Sequence, residues 1–328
     1  MQTRRITSTV SHSRQRCFGT MMLSTALITI TVTSVYAGPG LLLIAHGSHD
    51  AKWNQRVREL GELVARRVKN GDPFLAVRTA MLGHSSPTVA DAVRELEKKG
   101  CDRVIAVPLF IAHSSHTLFD VPTVLGLYFS PQVKSALQRE GVAVARPRVP
   151  ITLCEPVSTK VLAEFAWRQA RQISRQPEHE ALLLMAHGSS RHATLVNDRL
   201  REIATFCAGR MGIDSADWVF ADHGPLYLDN AVPAILRALR RKDRVLVLGM
   251  YVSLSAEDIR VIGTRGRREP PQLREMIRNG RVVFSDARLV EHPGLADWII
   301  EVATNALPSK PAAVSIAPSQ RDPLVFSR

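Results

Sequence analysis

The sequence predicts an α/β protein of two tandem similar domains, each a parallel four-stranded sheet flanked by helices, with a cleft at the strand carboxyl ends. Three observations predict it. An apolar run ending in His-Gly-Ser occurs twice, as Leu41-Leu-Leu-Ile-Ala-His46-Gly-Ser48 and as Ala181-Leu-Leu-Leu-Met-Ala-His187-Gly-Ser189, 141 residues apart. The same offset relates Arg103-Val-Ile-Ala-Val to Arg244-Val-Leu-Val-Leu. Helical periodicity separates the runs, and a β-α alternation calls for parallel pairing with right-handed crossovers. Uniformly apolar strands suit a sheet covered on both faces, and ligands of open α/β sheets gather at the carboxyl ends of such strands.

Taken in order, residues 1–37 stand apart. Arg4, Arg5, Arg14 and Arg16 precede an apolar, Thr-rich run that closes Val35-Tyr36-Ala37, the pattern of a signal peptide cleaved before Gly38. An uncleaved membrane anchor is the alternative reading. The first domain, 38–176, opens with the strand that ends at His46. A helix over 51–69 follows, with Trp53, Val57, Leu60, Val64 and Val68 on one face and Asn70-Gly71-Asp72-Pro73 as its stop. Then come a strand at 74–82, a helix at 88–99 closed by Gly100, a strand at 104–110, a helix at 119–139, a strand at 142–149 and a helix at 157–176. The second domain, 177–307, repeats the order, with strands near 181–186, 217–221, 244–250 and 281–285. Its helices are expected near 193–211, 228–241, 256–278 and 294–306. The Pro-, Ser- and Ala-rich tail, 308–328, has no periodicity and is expected to be disordered.

Composition narrows the function. The 328 residues are 45% hydrophobic and 22% charged, ordinary for a globular protein, with room for two cores. Only 5% are aromatic, which argues against stacking platforms for single-stranded nucleic acid. The net charge is +13, and losing residues 1–37 would remove four arginines and no acid, so the remainder stays basic. No nucleic-acid recognition motif accompanies that charge. Beyond residue 37 the cysteines are Cys101, Cys154 and Cys207, too far apart for a zinc motif and best read as small apolar residues. Neither a phosphate-binding Gly-x-x-x-x-Gly-Lys-Ser/Thr loop nor Gly-x-Gly-x-x-Gly occurs, so no nucleotide is expected. Gly83-His-Ser-Ser-Pro87 ends in Pro and is not a nucleophile elbow.

Histidines carry the chemistry. His46, His49, His84, His113, His116, His187 and His223 fall just after expected strands, so parallel sheets would collect imidazoles along one edge. Imidazole suits borderline divalent metals such as cobalt, nickel and iron. The loop Pro108-Leu-Phe-Ile-Ala-His-Ser-Ser-His116-Thr-Leu-Phe-Asp120-Val-Pro122, with His46-Gly-Ser and Pro87, resembles the signature of the class II tetrapyrrole chelatases of the CbiX/SirB type. The likeness covers most of residues 41–150. It implies that His46 and His116 hold the metal and accept pyrrole protons, and that Ser48, Ser114 and Ser115 of the same loops contact the substrate. Ser114 departs from a usual Gly, and Gly83 stands where an acidic residue is frequent. In the second half the offset places Glu257 at the position of His116. Gly249-Met-Tyr251-Val-Ser-Leu-Ser-Ala-Glu257 is similar to protoporphyrin ferrochelatases there, which makes His187 and Glu257 a second candidate catalytic pair. Arg191 and Arg265 are candidate contacts for peripheral carboxylates of the ring.

The resemblance implies an ATP-independent, lyase-type sirohydrochlorin cobaltochelatase. Its substrates would be a divalent metal, cobalt first with nickel or iron as neighbours, and a sirohydrochlorin-like tetrapyrrole. The expected protein is an exported monomer of two pseudo-symmetric domains with no stable membrane partner beyond export. The competing reading is a non-catalytic exported protein that binds metal or metallo-tetrapyrrole.

Overall fold

A computed structural model describes residues 37–68, 73–83, 85–188, 191–221 and 226–308. The expected signal segment therefore lies, apart from Ala37, outside the described residues, as do the tail beyond 308, His84, His223 and Ser189.

Two parallel sheets form, and their strand orders are the same. The first contains β1 (Gly38–His46), β2 (Ala76–Leu82), β3 (Cys101–Pro108) and β4 (Ile151–Leu153) in the order β2-β1-β3-β4. The second contains β5 (Glu180–Ala186), β6 (Ser215–Phe220), β7 (Arg244–Met250) and β8 (Val282–Phe284) in the order β6-β5-β7-β8. All pairings are parallel, so β1 and β5 sit centrally and carry His46 to one edge and His187 to the next. Every residue from Leu41 to Ala45 and from Ala181 to Ala186 is buried, as expected of strands covered on both faces.

Ten α-helices are described: α1 (Ala51–Val68), α2 (Val89–Lys98), α3 (Val121–Val124), α4 (Pro131–Arg139), α5 (Thr159–Ile173), α6 (Ala193–Met211), α7 (Val232–Ala238), α8 (Ala256–Gly263), α9 (Pro271–Arg278) and α10 (Pro293–Asn305). Side chains split by strand alternation into three cores. Leu41, Leu43 and Ala45 point with Leu182, Leu184 and Ala186 into a central core shared by the two sheets and filled by α1, α5, α6 and α10. Leu42 and Ile44 face an outer core with α2 and α3, and Leu183 and Met185 face another with α7 and α8.

Two helices are exchanged between the halves. Helix α5, last in the first half by sequence, packs on α6 and β7, and Gln169 Nε2 donates to the Gly249 carbonyl at 3.2 Å. The guanidinium of Arg210 covers the Trp167 ring at 3.7 Å and bonds Glu164 at 3.0 Å. Helix α10, last in the second half, lies against α1 and β3, with Asp297 paired to Arg67. The boundary placed at 176 thus falls in the connection between α5 and β5, while α5 itself lies against the second sheet.

Three expectations change. The helix expected over 119–139 is broken: a π-helical turn over His116–Asp120 leads into α3, Gly126 takes φ +77° just after it, and Ser130-Pro131 starts α4 afresh. Residues 142–149 are not a strand. They run beside the end of α3, with Ala145 N–H bonded to the Val124 carbonyl, and β3 pairs instead with Ile151–Leu153 beyond Pro147 and Pro150. The helix expected over 256–278 divides into α8 and α9, because Gly266 adopts φ +72° and Pro270-Pro271 can only begin a helix. The three described cysteines are free thiols, and burial pushes Cys207 up to about 12 and Cys154 to about 11.

Candidate functional site

The carboxyl edge of the first sheet brings His46 and His116 together. Strand β1 ends on His46, and β3 is followed by a loop that returns over that end to the π-helical turn carrying His116. The two rings stand edge to face with centroids 4.9 Å apart. Backbone bonds set the approach, since Gly47 N–H donates to the Leu82 carbonyl and Leu109 N–H to the Ile44 carbonyl. Inside the loop, Ser114 N–H donates to Thr117 Oγ1, whose hydroxyl returns a bond to the Ser114 carbonyl.

Hydrogen bonds set the tautomer of both rings. His46 Nδ1 is 2.7 Å from the Gly47 carbonyl oxygen, and His116 Nδ1 is 2.7 Å from Asp120 Oδ2. A carbonyl oxygen and a carboxylate only accept, so each Nδ1 carries a proton and each ring, in its neutral form, keeps its lone pair on Nε2. Two imidazoles with Nε2 available can ligate a metal ion or take up a proton. His46 reaches solvent at the sheet edge, yet the walls around it make desolvation the largest influence, lowering its pKa. The neighbouring charges of His116 and His187 lower it further against the Gly47 bond and Asp120. His187 therefore lies within electrostatic reach of His46 across the two sheets. Its own Nδ1 is 2.6 Å from the Gly188 carbonyl oxygen, so the His-Gly turn is built alike in both halves.

Other expected residues take different positions. Ser48 is committed to the start of α1: its N–H donates to Asn54 Oδ1, its carbonyl accepts from Asn54 Nδ2 and Ser85 Oγ, and its hydroxyl accepts from Asp50 N–H. Ser115 precedes the π-helical turn with no capping bond from its side chain. Glu257 gives both carboxylate oxygens to Arg260, Oε2 at 2.7 Å from Nε, and Arg260 also binds the buried Glu269, which accepts from Tyr227. The second-half carboxylate thus stands in an ion-pair network beside Phe284. Arg191 is exposed ahead of α6, and Arg265 is exposed in the turn after α8. His113 is turned to Glu155, with Nε2 at 3.1 Å. Among the described residues, no three His, Cys, Asp or Glu side chains converge closely enough to hold a metal ion by themselves.

The structure adds residues that the sequence reading passed over. Asp120 was visible only as part of a motif, although a His and an Asp four apart on a helical turn are neighbours. Phe119 is partly exposed on the turn that carries His116, 6.3 Å from the Tyr128 ring and 6.2 Å from His192 of the second half. Arg199 of α6 donates to the carbonyls of Ile111, at 3.2 Å, and Val157, at 2.8 Å, holding the His116 loop from the other half. Arg56 of α1 does the reverse, donating to the Ser253 carbonyl at 3.0 Å in the loop before α8.

Comparison with known proteins fits this geometry. Residues 40–171 match the family model described as CbiX. The sirohydrochlorin cobaltochelatase of Methanocaldococcus jannaschii is 37% identical over 87 residues, which cover 26% of this chain and 58% of that protein. The sirohydrochlorin cobaltochelatase of Methanococcoides burtonii is 25% identical over 135 residues, covering 41% of this chain and 95% of that protein. The match to the first of these spans little more than half of its length. The crystal structure of the sirohydrochlorin chelatase SirB from Bacillus subtilis subspecies spizizenii in complex with cobalt superposes over 82% of this chain and 95% of its own, with TM-score 0.57 and 14% identity. A multi-domain protein of Deinococcus radiodurans with structural similarity to chelatases covers 83% of this chain with TM-score 0.54. Both halves therefore share the chelatase fold, and residues 40–171 are similar to the CbiX family.

Proposed function

We propose that the chain is an exported metallochelatase that inserts a divalent metal, cobalt first and nickel or iron as neighbours, into a sirohydrochlorin-like tetrapyrrole. The observation that carries the reading is the pair His46 and His116, two imidazoles 4.9 Å apart whose Nδ1 atoms are both bound to acceptors. Metal insertion removes two pyrrole N–H protons and exchanges metal-bound water for ring nitrogens. An imidazole with a free Nε2 does either task near neutral pH, first as ligand and then as proton acceptor. Desolvation and neighbouring charge keep His46 neutral to lower pH than an ordinary imidazole, which favours metal over proton at that nitrogen. Phe119, on the turn that carries His116, and Tyr128 next to it would offer aromatic surface to a flat ring, and the exposed Arg191 and Arg265 would offer charge to its carboxylates.

The test is anaerobic spectrophotometry of sirohydrochlorin mixed with Co2+, Ni2+ or Fe2+ and sub-stoichiometric protein. Repeated release of metallated ring is expected, fastest with cobalt. Uptake that stops at one equivalent per chain would identify a binder instead of a catalyst. Export is checked separately by fractionation and N-terminal sequencing, with Gly38 the expected first residue. Met1 at the start of a cytoplasmic product would overturn that part alone.

A further inference from the structure

His46, His116 and His187 are locked in two different ways. His46 and His187 each hold Nδ1 against the carbonyl of the next residue, Gly47 or Gly188, at 2.7 and 2.6 Å. That lock comes with the His-Gly turn. His116 has no such turn, because it opens the π-helical turn in which Val121 N–H bonds back to the His116 carbonyl. Its Nδ1 meets a side chain instead, Asp120 Oδ2 at 2.7 Å. The carboxylate is mostly covered, with 22% of its side chain exposed, while the His116 side chain is 41% exposed. Buried Val121 follows directly and ties the turn to the outer core.

From this we infer that Asp120 is the positioning residue of the first-half site: it holds His116 in the Nδ1–H tautomer and fixes the ring plane, so that Nε2 is presented for metal. The inference rests on the proposed role of His116 as a metal ligand. Asp120 acts through His116, as carboxylates behind ligating histidines do generally, and such partners are worth 10- to 100-fold in metal affinity. The π-helical turn supplies the geometry, since residues four apart in a helical turn share one face. Without the carboxylate, no other hydrogen bond to His116 Nδ1 is found among the described residues, and the ring is free to turn and to exchange tautomers.

Two measurements on the full chain test this. Long-range 1H–15N NMR of the metal-free protein reads the tautomer of His116, assigned by its loss in His116→Ala. Wild type should show a protonated Nδ1 and an unprotonated Nε2, Asp120→Ala should show a growing Nε2–H population, and Asp120→Asn, whose amide oxygen still accepts, should restore most of the wild-type pattern. Calorimetric titration with Co2+ alone should show affinity reduced about 10- to 100-fold in Asp120→Ala, with a smaller loss in Asp120→Asn. Tetrapyrrole KM should stay near wild type while kcat falls. An Asp120→Ala protein with the wild-type His116 tautomer and wild-type Co2+ affinity would overturn the assignment. A changed tautomer beside a His116→Ala protein that still binds Co2+ like wild type would sustain the lock and overturn the metal-binding role of His116.

Discussion

At the scale of single residues, the site is a matter of which nitrogen is left over. His46→Ala and His116→Ala should each lower metallation roughly 100-fold or more and shift the melting temperature little, because both side chains sit at the sheet edge outside the packed cores. Turnover assays with thermal melts of the same preparations check this, and either variant near wild-type turnover sinks the assignment. Glu257→Gln should slow the reaction about 10-fold or less, since Arg260 already holds both oxygens. Abolished turnover there, with His116→Ala tolerated, would move the site to the second half. The histidines were legible because chemistry-bearing residues after a strand collect at one edge. The fate of Glu257 was not, because equivalence by offset says where a residue stands and nothing of which arginine lies beside it.

At the scale of elements, the central strands, first helices and strand order follow from apolar runs that repeat, and the sequence makes them plain. The outer helices do not, because their breaks depend on backbone at Gly126 and Gly266 and on how the 142–149 segment lies along α3. Periodicity continues across such breaks and hides them. Close approach shows most clearly at Gly249, where β7 passes under the start of α8. A Cβ there would lie 2.5 Å from the Ala256 nitrogen and 2.9 Å from the Ser255 carbonyl carbon, both main-chain atoms. Gly249→Ala should therefore cost about 2 kcal/mol, in the range for overpacked interiors, measured by urea unfolding, and a neutral result would mean that the α8 start is free to shift.

At the scale of the whole molecule, each half holds a loop of the other. Arg199→Met leaves the Ile111 and Val157 carbonyls without their charged donor, which should cost about 1–3 kcal/mol and weaken Co2+ binding through the His116 loop, read by calorimetry. Unchanged Co2+ affinity would separate that loop from the second half. The exchanged helices predict that 38–176 expressed alone exposes the α5 face bearing Leu162, Phe165 and Ala166 and aggregates, whereas co-expression with 177–308 yields a soluble pair. A soluble, monomeric first fragment would contradict it. Stability should also depend on pH through His292, buried at the start of α10. Burial and then Arg168 lower its pKa, so it is neutral when folded and takes up a proton when unfolded. The unfolded state thus binds more protons below the ordinary imidazole value of ~6.5, and its contribution is full above that pH and fades as pH falls through the window. His292→Gln should flatten the slope of melting temperature against pH between 7.5 and 5. An unchanged slope would assign the pH dependence to other groups.

The matching strand orders and the traded helices make this chain a closed pair of halves in which each copy mutates alone. A pair of identical chains cannot differ across its twofold axis, because every substitution appears twice. Here one edge carries His116 backed by Asp120, and the equivalent edge carries Glu257 bound by Arg260. A flat ring lying between two identical edges has two equal orientations. Between these edges a bound ring would have one preferred orientation, so the order in which its sides met the His116 edge and the Glu257 edge would be set by the polypeptide.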